Sequence, residues 1–456
     1  MLKTLFLLLL FCPGLARAQV SQPPPPRAPA TAQATRTDLP LNDLKIVYFG
    51  SSVPYGQGAT DKYGYTSRYS TWLAQRHAAG QGAPWTTANI SVPGDNTVKV
   101  LARWNRDLPP QGGRYVLYAL ALGNEGIHGG GQPKFDQFRT NLQVLIQQAK
   151  AQGIVPVVTN SYTRNDYTPE DYAFIRQMNL LLQAWAVPTV NLLGAVDDGA
   201  GHWATGYWDD ALHPNDLGHA ELFHALVPSL FDALRAGKPL PHRQATSYVQ
   251  LPAPAGGRAA TISFVPEALV HPFTQVISFR AAAAGRLLLL QDSTTTGSLR
   301  IDPAGTLTYS SAKTGHLTSQ ARVNDHRWHT ATLTHYFARG ETILYLDSAW
   351  VGSVREQLRT RQLTLGGGQA PRGAHYRNWL FYRSGMNTEE VHALVADSLL
   401  KSSLELYAPL DGRHGPTPDS LANLAQSTSV LLRGLEPAMP RRAPTPRRAA
   451  KRPAPR

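Results

Sequence analysis

Short apolar runs, each ending at a glycine or a polar turn, punctuate the first half of the chain. Residues 45–49 (KIVYF) stop at Gly50, and residues 115–122 (YVLYALAL) stop at Gly123. Residues 154–159 and 189–193 are two more such runs. Helix-like stretches accompany them, over 135–152 and from near Asn215 to near Arg235. An apolar run without alternation is a strand buried on both faces. Strands that alternate with helices predict a parallel sheet with helices on both sides. The stretch 42–237 therefore reads as an α/β unit in three layers, αβα.

The texture changes at 238–257, which is rich in proline, glycine and polar residues. Beyond it the apolar period becomes alternating. Residues 274–279, 285–291, 297–301, 305–310, 328–335, 342–346 and 362–365 read as short strands between turns. That spacing predicts an all-β sandwich over 258–432, with a short helix at 387–399 and a further strand at 404–408. A boundary of this composition predicts two units that fold separately. Two flanking segments carry no apolar period. The proline- and alanine-rich stretch 19–41 reads as an extended linker, and 433–456, alternating proline, alanine and arginine, as a disordered basic tail.

The formal charge of +13 would point to a polyanionic partner if the body carried it. It does not. Lys3 and Arg17 account for two of the excess charges and seven more lie after position 440, leaving +4 for residues 19–440. Nucleic acid is therefore not an expected partner. The N-terminus places a positive charge at Lys3, an apolar run at 5–11 and the small-x-small triplet Ala16-Arg17-Ala18. This is the pattern of a secretory signal peptide over 1–18, cleaved near Ala18, so the chain is expected to be secreted or periplasmic. Neither that run nor any later one is long enough for a transmembrane segment. The single cysteine, Cys12, lies inside the leader. Disulfides, thiol catalysis and cysteine-ligated metals drop out of the expected mature chain together.

Four short motifs in the first half carry candidate chemistry. Gly50-Ser51-Ser52 follows a strand directly, and a serine in a tight turn at that end of a parallel sheet faces the crevice where such sheets bind ligands. Val92-Pro93-Gly94-Asp95 offers a glycine whose N–H could face an oxyanion without a side chain in the way. Gly123-Asn124-Glu125, again at a strand end, offers a side-chain amide as another oxyanion donor. Asp210-Ala211-Leu212-His213 places a carboxylate within reach of an imidazole, fixing one tautomer and leaving the other ring nitrogen to accept a serine proton. Singly, each has a plain alternative as a polar loop, a turn, a helix cap or a surface hydrogen bond.

Together, in this order, the motifs resemble the blocks of the SGNH (GDSL-type) hydrolases, over roughly residues 44–236. The family's first block is Gly-Asp-Ser followed by a glycine four residues later, matched here by Gly50, Ser52 and Gly56. The resemblance implies a flavodoxin-like parallel sheet and an acyl-serine mechanism needing no cofactor and no metal. It implies Ser52, rather than Ser51, as nucleophile, with His213 and Asp210 completing the triad. Ser52, Gly94 and Asn124 would form the oxyanion hole. Pro214-Asn215 and Gly218-His219 match the usual surroundings. Two positions depart from the family: Ser51 and Glu125 stand where it carries aspartates. Neither takes the chemical step, so activity is expected to survive.

The second half resembles a laminin-G-like, concanavalin A-like jelly roll over roughly 259–410. The carrying residues are Asp325 to Thr330, 342–347, and the segment Arg383-Ser384-Gly385-Met386-Asn387-Thr388-Glu389-Glu390. Such folds bind glycans or serve as spacers and adhesion modules. Trp350 and Trp379 could stack on sugar rings, whereas Trp328 reads as core. The expectation is a secreted carboxylic ester hydrolase whose partner is an ester substrate, an acylated carbohydrate by preference, acetyl esters first. Tyr55, Trp203, Tyr207 and Trp208 lie near the motifs in sequence and could line a sugar subsite, or equally pack beneath the loop. A lipase or general short-chain esterase and a non-catalytic glycan- or surface-binding protein remain open alternatives.

Overall fold

The computed structural model describes residues 40–437 except 245–246, 253–254, 256–257, 293–294, 312–315 and 397. The expected leader, most of the expected linker and the tail from 438 lie outside the described residues. Five strands form the first sheet: β1 (Asn42–Gly50), β2 (Thr86–Asn89), β3 (Gly113–Ala119), β4 (Val155–Thr159) and β5 (Thr189–Val190). They run parallel in the order β2, β1, β3, β4, β5. Among the described residues eight α-helices accompany them: α1 (Ser52–Tyr55), α2 (Tyr65–Ala78), α3 (Thr97–Asp107), α4 (Ile127–Ala151), α5 (Pro169–Ala184), α6 (Leu193–Val196), α7 (Asp216–His224) and α8 (Leu230–Arg235).

The pleat of β1 divides its apolar residues between two cores. Ile46 and Tyr48 meet Tyr65, Tyr69 and Leu73 of α2 and Phe231 of α8. Val47 and Phe49 meet Trp104 of α3, Phe138 and Leu142 of α4, and Met178 of α5. Each such side chain contributes about 1.5–3 kcal/mol when fully buried. This is the expected three-layer α/β fold. Two elements differ in detail. The stretch expected as one helix over 215–235 is two, because Pro228 lies between them and can neither donate its nitrogen nor continue the turn. Helix α4 starts earlier than expected, but His128, Gly129 and Gly131 have non-helical backbone angles before its regular part.

Two antiparallel sheets, of eight and seven strands among the described residues, form the all-β half. Phe264, Ile277, Leu288, Leu333 and Phe381 fill the space between them. The outer face of the seven-stranded sheet carries apolar residues too, and Val276, Tyr345, Leu380 and Tyr382 pack there with α9 (Thr388–Val395). Strand Phe273–Arg280 is accordingly buried along nearly its whole length. Residues 433–437, expected in the tail, belong to strand Leu431–Pro437, which pairs with Arg258–Phe264. Within 238–257, Val249–Gln250 pairs with His375–Tyr382. The tryptophans also change places. Trp379 is wholly buried, so it offers no sugar platform. Trp328 is half-buried, with the Arg377 guanidinium 4.0 Å from its ring centre.

The two halves, expected from the boundary composition to fold separately, meet along a polar seam. The described residues of both halves form one compact unit. The buried Arg383 guanidinium donates to Glu405 at 2.7 Å and to the carbonyls of His224 and Leu269. Ser403 covers the end of the parallel sheet, its N–H donating to Thr189 O at 3.1 Å and its hydroxyl to Ala225 O at 2.7 Å. Glu390 of α9 reaches into the same seam. Its carboxylate accepts from Gln183 Nε2 at 2.7 Å, Asn191 Nδ2 at 2.9 Å and Asn387 N at 3.0 Å.

Burial pushes the Glu390 carboxyl up to about 7, against the pull of these hydrogen bonds. Between its ordinary value of 4.5 and about 7, the folded protein keeps a proton that the unfolded chain has lost. Stability from this group is therefore present below 4.5 and is lost as pH rises through the folded value. Urea midpoints taken at steps across that range should fall less steeply for Glu390→Gln than for the unsubstituted protein. Parallel slopes would mean that the carboxyl does not hold a proton at the interface.

Candidate active site

The chain leaves β1 at Gly50 and turns into α1, which begins at Ser52. Gly56 N donates back to Ser52 O and Val53 O, closing the turn. The Ser52 hydroxyl stands 3.0 Å from His213 Nε2. His213 Nδ1 stands 2.9 Å from both oxygens of Asp210. A carboxylate only accepts, so Nδ1 carries the proton and Nε2 is the acceptor for the serine hydroxyl. Ser51 is fully buried, and Ser52 is the serine that meets the imidazole.

The Asp210 carboxylate is half-exposed. Its partial burial opposes ionisation, but the His213 hydrogen bond and the N–H groups of Leu212 and His213 outweigh that and hold it below the usual range. Ser52 and His213 are both buried, at 6% and 8% exposure, so the transfer path between them is shielded while the acid end is wet.

The other two motifs lie on neighbouring strand ends. Gly94 has a φ of +77°, a left-handed backbone that favours glycine, and a Cβ there would meet nothing within 4 Å. Its loop is tied to the nucleophile turn by Val92 N donating to Gly50 O at 3.1 Å. Asn124 Nδ2 donates to Asp95 O at 3.0 Å, joining the asparagine to that loop. Glu125 turns the other way. Its carboxylate accepts from Thr97 N, Thr97 Oγ1 and Gln137 Nε2, fastening the start of α3 to α4. The departure from the expected aspartate is thus spent on the scaffold.

His219 supports the same turn from α7. Its Nδ1 accepts from Tyr65 N, so Nε2 is protonated and donates to Gln57 O at 2.9 Å. Burial pushes its pKa down to about 4, keeping the ring neutral. Of the four aromatics that could line a sugar subsite or equally pack beneath the loop, Trp203 does the second. It is buried, stacked on Tyr162, with its indole N–H on Ala211 O, because the chain folds it under the loop that carries His213. Tyr207 is half-buried, while Tyr55 and Trp208 are 42% and 44% exposed. Sequence reasoning passed over Thr163-Arg164-Asn165-Asp166. The available signal was position: a charged pair just beyond β4, at the sheet edge that carries the other motifs.

Residues 48–221 match the GDSL-like Lipase/Acylhydrolase family. That match supports a GDSL-type hydrolase domain in this stretch, and an acylhydrolase family implies ester hydrolase activity. No curated protein matches the chain. Among solved structures, a GDSL-like lipase from Bacteroides thetaiotaomicron is 15% identical, over 42% of this chain and 90% of that one, with a TM-score of 0.33. A variant of an acetyl xylan esterase from Geobacillus stearothermophilus is 16% identical, over 41% and 94%, with a TM-score of 0.34. A heptameric pentraxin from Limulus polyphemus is 11% identical, over 41% and 92%, with a TM-score of 0.30. Among the described residues no helix is long and apolar enough to cross a membrane.

The hydrogen bonding of His213 yields a direct expectation. Asp210→Asn can present an amide N–H to Nδ1, which moves the ring proton to Nε2 and removes the acceptor facing Ser52. Ester hydrolysis should fall by about 10³-fold or more while folding is retained. Initial rates on a soluble aryl ester, with a circular dichroism melt alongside, would decide it. A loss under tenfold would mean that Asp210 does not set the tautomer.

Proposed function

We propose that this protein is a secreted serine esterase that removes acyl groups from carbohydrate, acetyl groups by preference, through Ser52, His213 and Asp210. The observation that carries the reading is the unbroken hydrogen-bonded line from Asp210 through His213 to Ser52, at 2.9 and 3.0 Å. In the first step His213 Nε2 takes the Ser52 proton as Oγ bonds to the ester carbonyl carbon. The tetrahedral oxyanion is held by the N–H groups of Ser52 and Gly94 and by Asn124 Nδ2. Collapse expels the alcohol, which leaves with the proton from His213. Water, deprotonated by the same imidazole, then releases the acid and frees the serine.

The carbohydrate preference rests on the wet, aromatic rim. Tyr55 and Trp208 are large, flat and exposed beside the motif residues, as suits sugar rings stacking at a surface. A greasy acyl chain would instead call for an enclosed apolar slot. The leader-like N-terminus and the attached β-sandwich, read as a laminin-G-like module, suit a polymer outside the cytoplasm. N-terminal sequencing of the exported protein, beginning at Gln19, is the check on cleavage after Ala18.

Labelling by a fluorophosphonate tests the central claim. The probe should modify Ser52, and Ser52→Ala should abolish both labelling and turnover, while Ser51→Ala keeps much of each. The reverse pattern would move the nucleophile by one residue. No labelling of the unsubstituted protein would favour a non-catalytic binder. A screen of acetylated xylo-oligosaccharides against aryl esters of rising chain length separates the carbohydrate reading from a lipase or general esterase.

A further inference from the structure

We propose that Arg164 is a positioning residue for the oxyanion hole: it clamps the Asn124 amide so that one N–H of Nδ2 points at the reacting carbonyl oxygen. The inference rests on the acyl-serine reading above and names a residue outside all four sequence motifs.

The side-chain amide of Asn124 is gripped at both ends. Arg164 Nη1 donates to Oδ1 at 3.2 Å, and Nδ2 donates to Asp95 O at 3.0 Å. A guanidinium can only donate and a carbonyl can only accept, so the chemistry of the two partners fixes which end of the amide is which. Nδ2 has two hydrogens, and the one left over is held in a set direction. Arg164 is itself aimed. Its Nε and Nη2 lie 2.9 and 2.5 Å from the two oxygens of Asp166, a two-point grip that leaves Nη1 for the asparagine. The order Asp166, Arg164, Asn124 thus repeats on the oxyanion side the logic of Asp210, His213, Ser52.

A second, independent feature points the same way. A Cβ at Gly123 would lie 2.7 Å from Arg164 Nη1 and 2.4 Å from Tyr167 Oη. Any larger residue there would push the guanidinium off the asparagine, so the glycine makes room for this clamp. The Arg164 side chain is only 11% exposed, which suits a group acting through its neighbour rather than one offered to substrate. Its backbone is pinned as well, with Arg164 N donating to Gly201 O and Asn165 N donating to Ala211 O, two residues before His213. A charged donor on Oδ1 also polarises the amide and strengthens the N–H at the other end, an effect that grows as negative charge develops.

The test is a double-mutant cycle on kcat and KM with an aryl acetate, using the full chain. Arg164→Met should lower kcat about tenfold with KM little changed, because the affected donor acts on charge present only in the transition state. Arg164→Lys should recover part of the loss. Asn124→Ala alone should cost about 10²–10³-fold. On that background Arg164→Met should change kcat by less than about twofold, since there is no amide left to aim. An equal loss on both backgrounds, a loss confined to KM, or no loss at all would overturn the proposal. Should Arg164→Met fail to fold by circular dichroism, Arg164→Lys carries the same cycle. Fluorophosphonate labelling of the unsubstituted protein separates the two levels: labelling with an additive cycle sinks the Arg164 role alone, and no labelling sinks the esterase reading beneath it.

Discussion

A hydroxyl and an imidazole 161 residues apart in the chain have to be held 3.0 Å from each other, and neither lies within a long regular element. The parallel sheet supplies only the starting point, by ending β1 at the nucleophile. The rest is done by contacts between loops. Gly58 lies against Pro214, whose carbonyl would be 2.2 Å from any Cβ at that glycine. Thr60 gives its N–H and its hydroxyl to Asp216, and His219 joins Tyr65 N to Gln57 O. Each hydrogen bond is worth only about 1 kcal/mol net. Their value lies in number and direction, since a displacement of about an ångström can cost a hundredfold in rate.

The same need for fixed loops explains why so much polarity is buried where the two halves meet. Arg383 and Glu405 are both under 2% exposed, and two charges out of water cost several kcal/mol before their attraction returns any of it. An apolar seam would hold the halves together at least as firmly, but it could slide. Arg383 meets a carboxylate and two backbone carbonyls in fixed directions, and Glu390 accepts three hydrogen bonds from three separate segments. Ser403 meanwhile occupies the otherwise open end of the parallel sheet, beside the two-residue strand β5. A short edge strand covered in this way cannot pair with another chain.

The elements that could be read from the sequence are those whose own pattern decides them. Residues 45–49 put Ile46 and Tyr48 on one face and Val47 and Phe49 on the other, and both faces are buried, so a plain apolar run was a sufficient signal. The order of the four motifs was legible for a similar reason, since each is a few adjacent residues. The bounds of strand β2 were not, because Thr86–Asn89 is polar and only partly buried at a sheet edge. Strand His375–Tyr382 was hidden by its irregularity. Arg377 pairs with Ser278 and Leu380 with Val276, so one extra residue is inserted, and Asn378 sits there at a φ of +51°. That bulge breaks the alternation that exposure would be read from. Trp379 is wholly buried beside it, which alternation alone could not tell. Arg164 had only its position just beyond β4 to mark it: its role depends on Asn124 and Asp166 meeting it in space, and 40 residues separate it from the asparagine.

The segment after β4 joins these constraints. Ser161 Oγ accepts from Leu122 N, Arg164 holds Asn124, and Asn165 donates its N–H to Ala211 O while its side-chain Oδ1 accepts from Trp203 N. One short stretch therefore braces the oxyanion side and the histidine side at once. It leans in turn on Gly201, whose carbonyl accepts from Thr163 Oγ1 and Arg164 N and whose N–H is held by Asp197. That loop reaches the sandwich, where a Cβ at Gly199 would come within 2.7 Å of Arg339 Nη1. A sandwich residue thus packs on the loop that accepts from Arg164 N. The loop is backed from both halves, by Arg339 of the sandwich and by Tyr172 of α5, whose hydroxyl donates to Asp197.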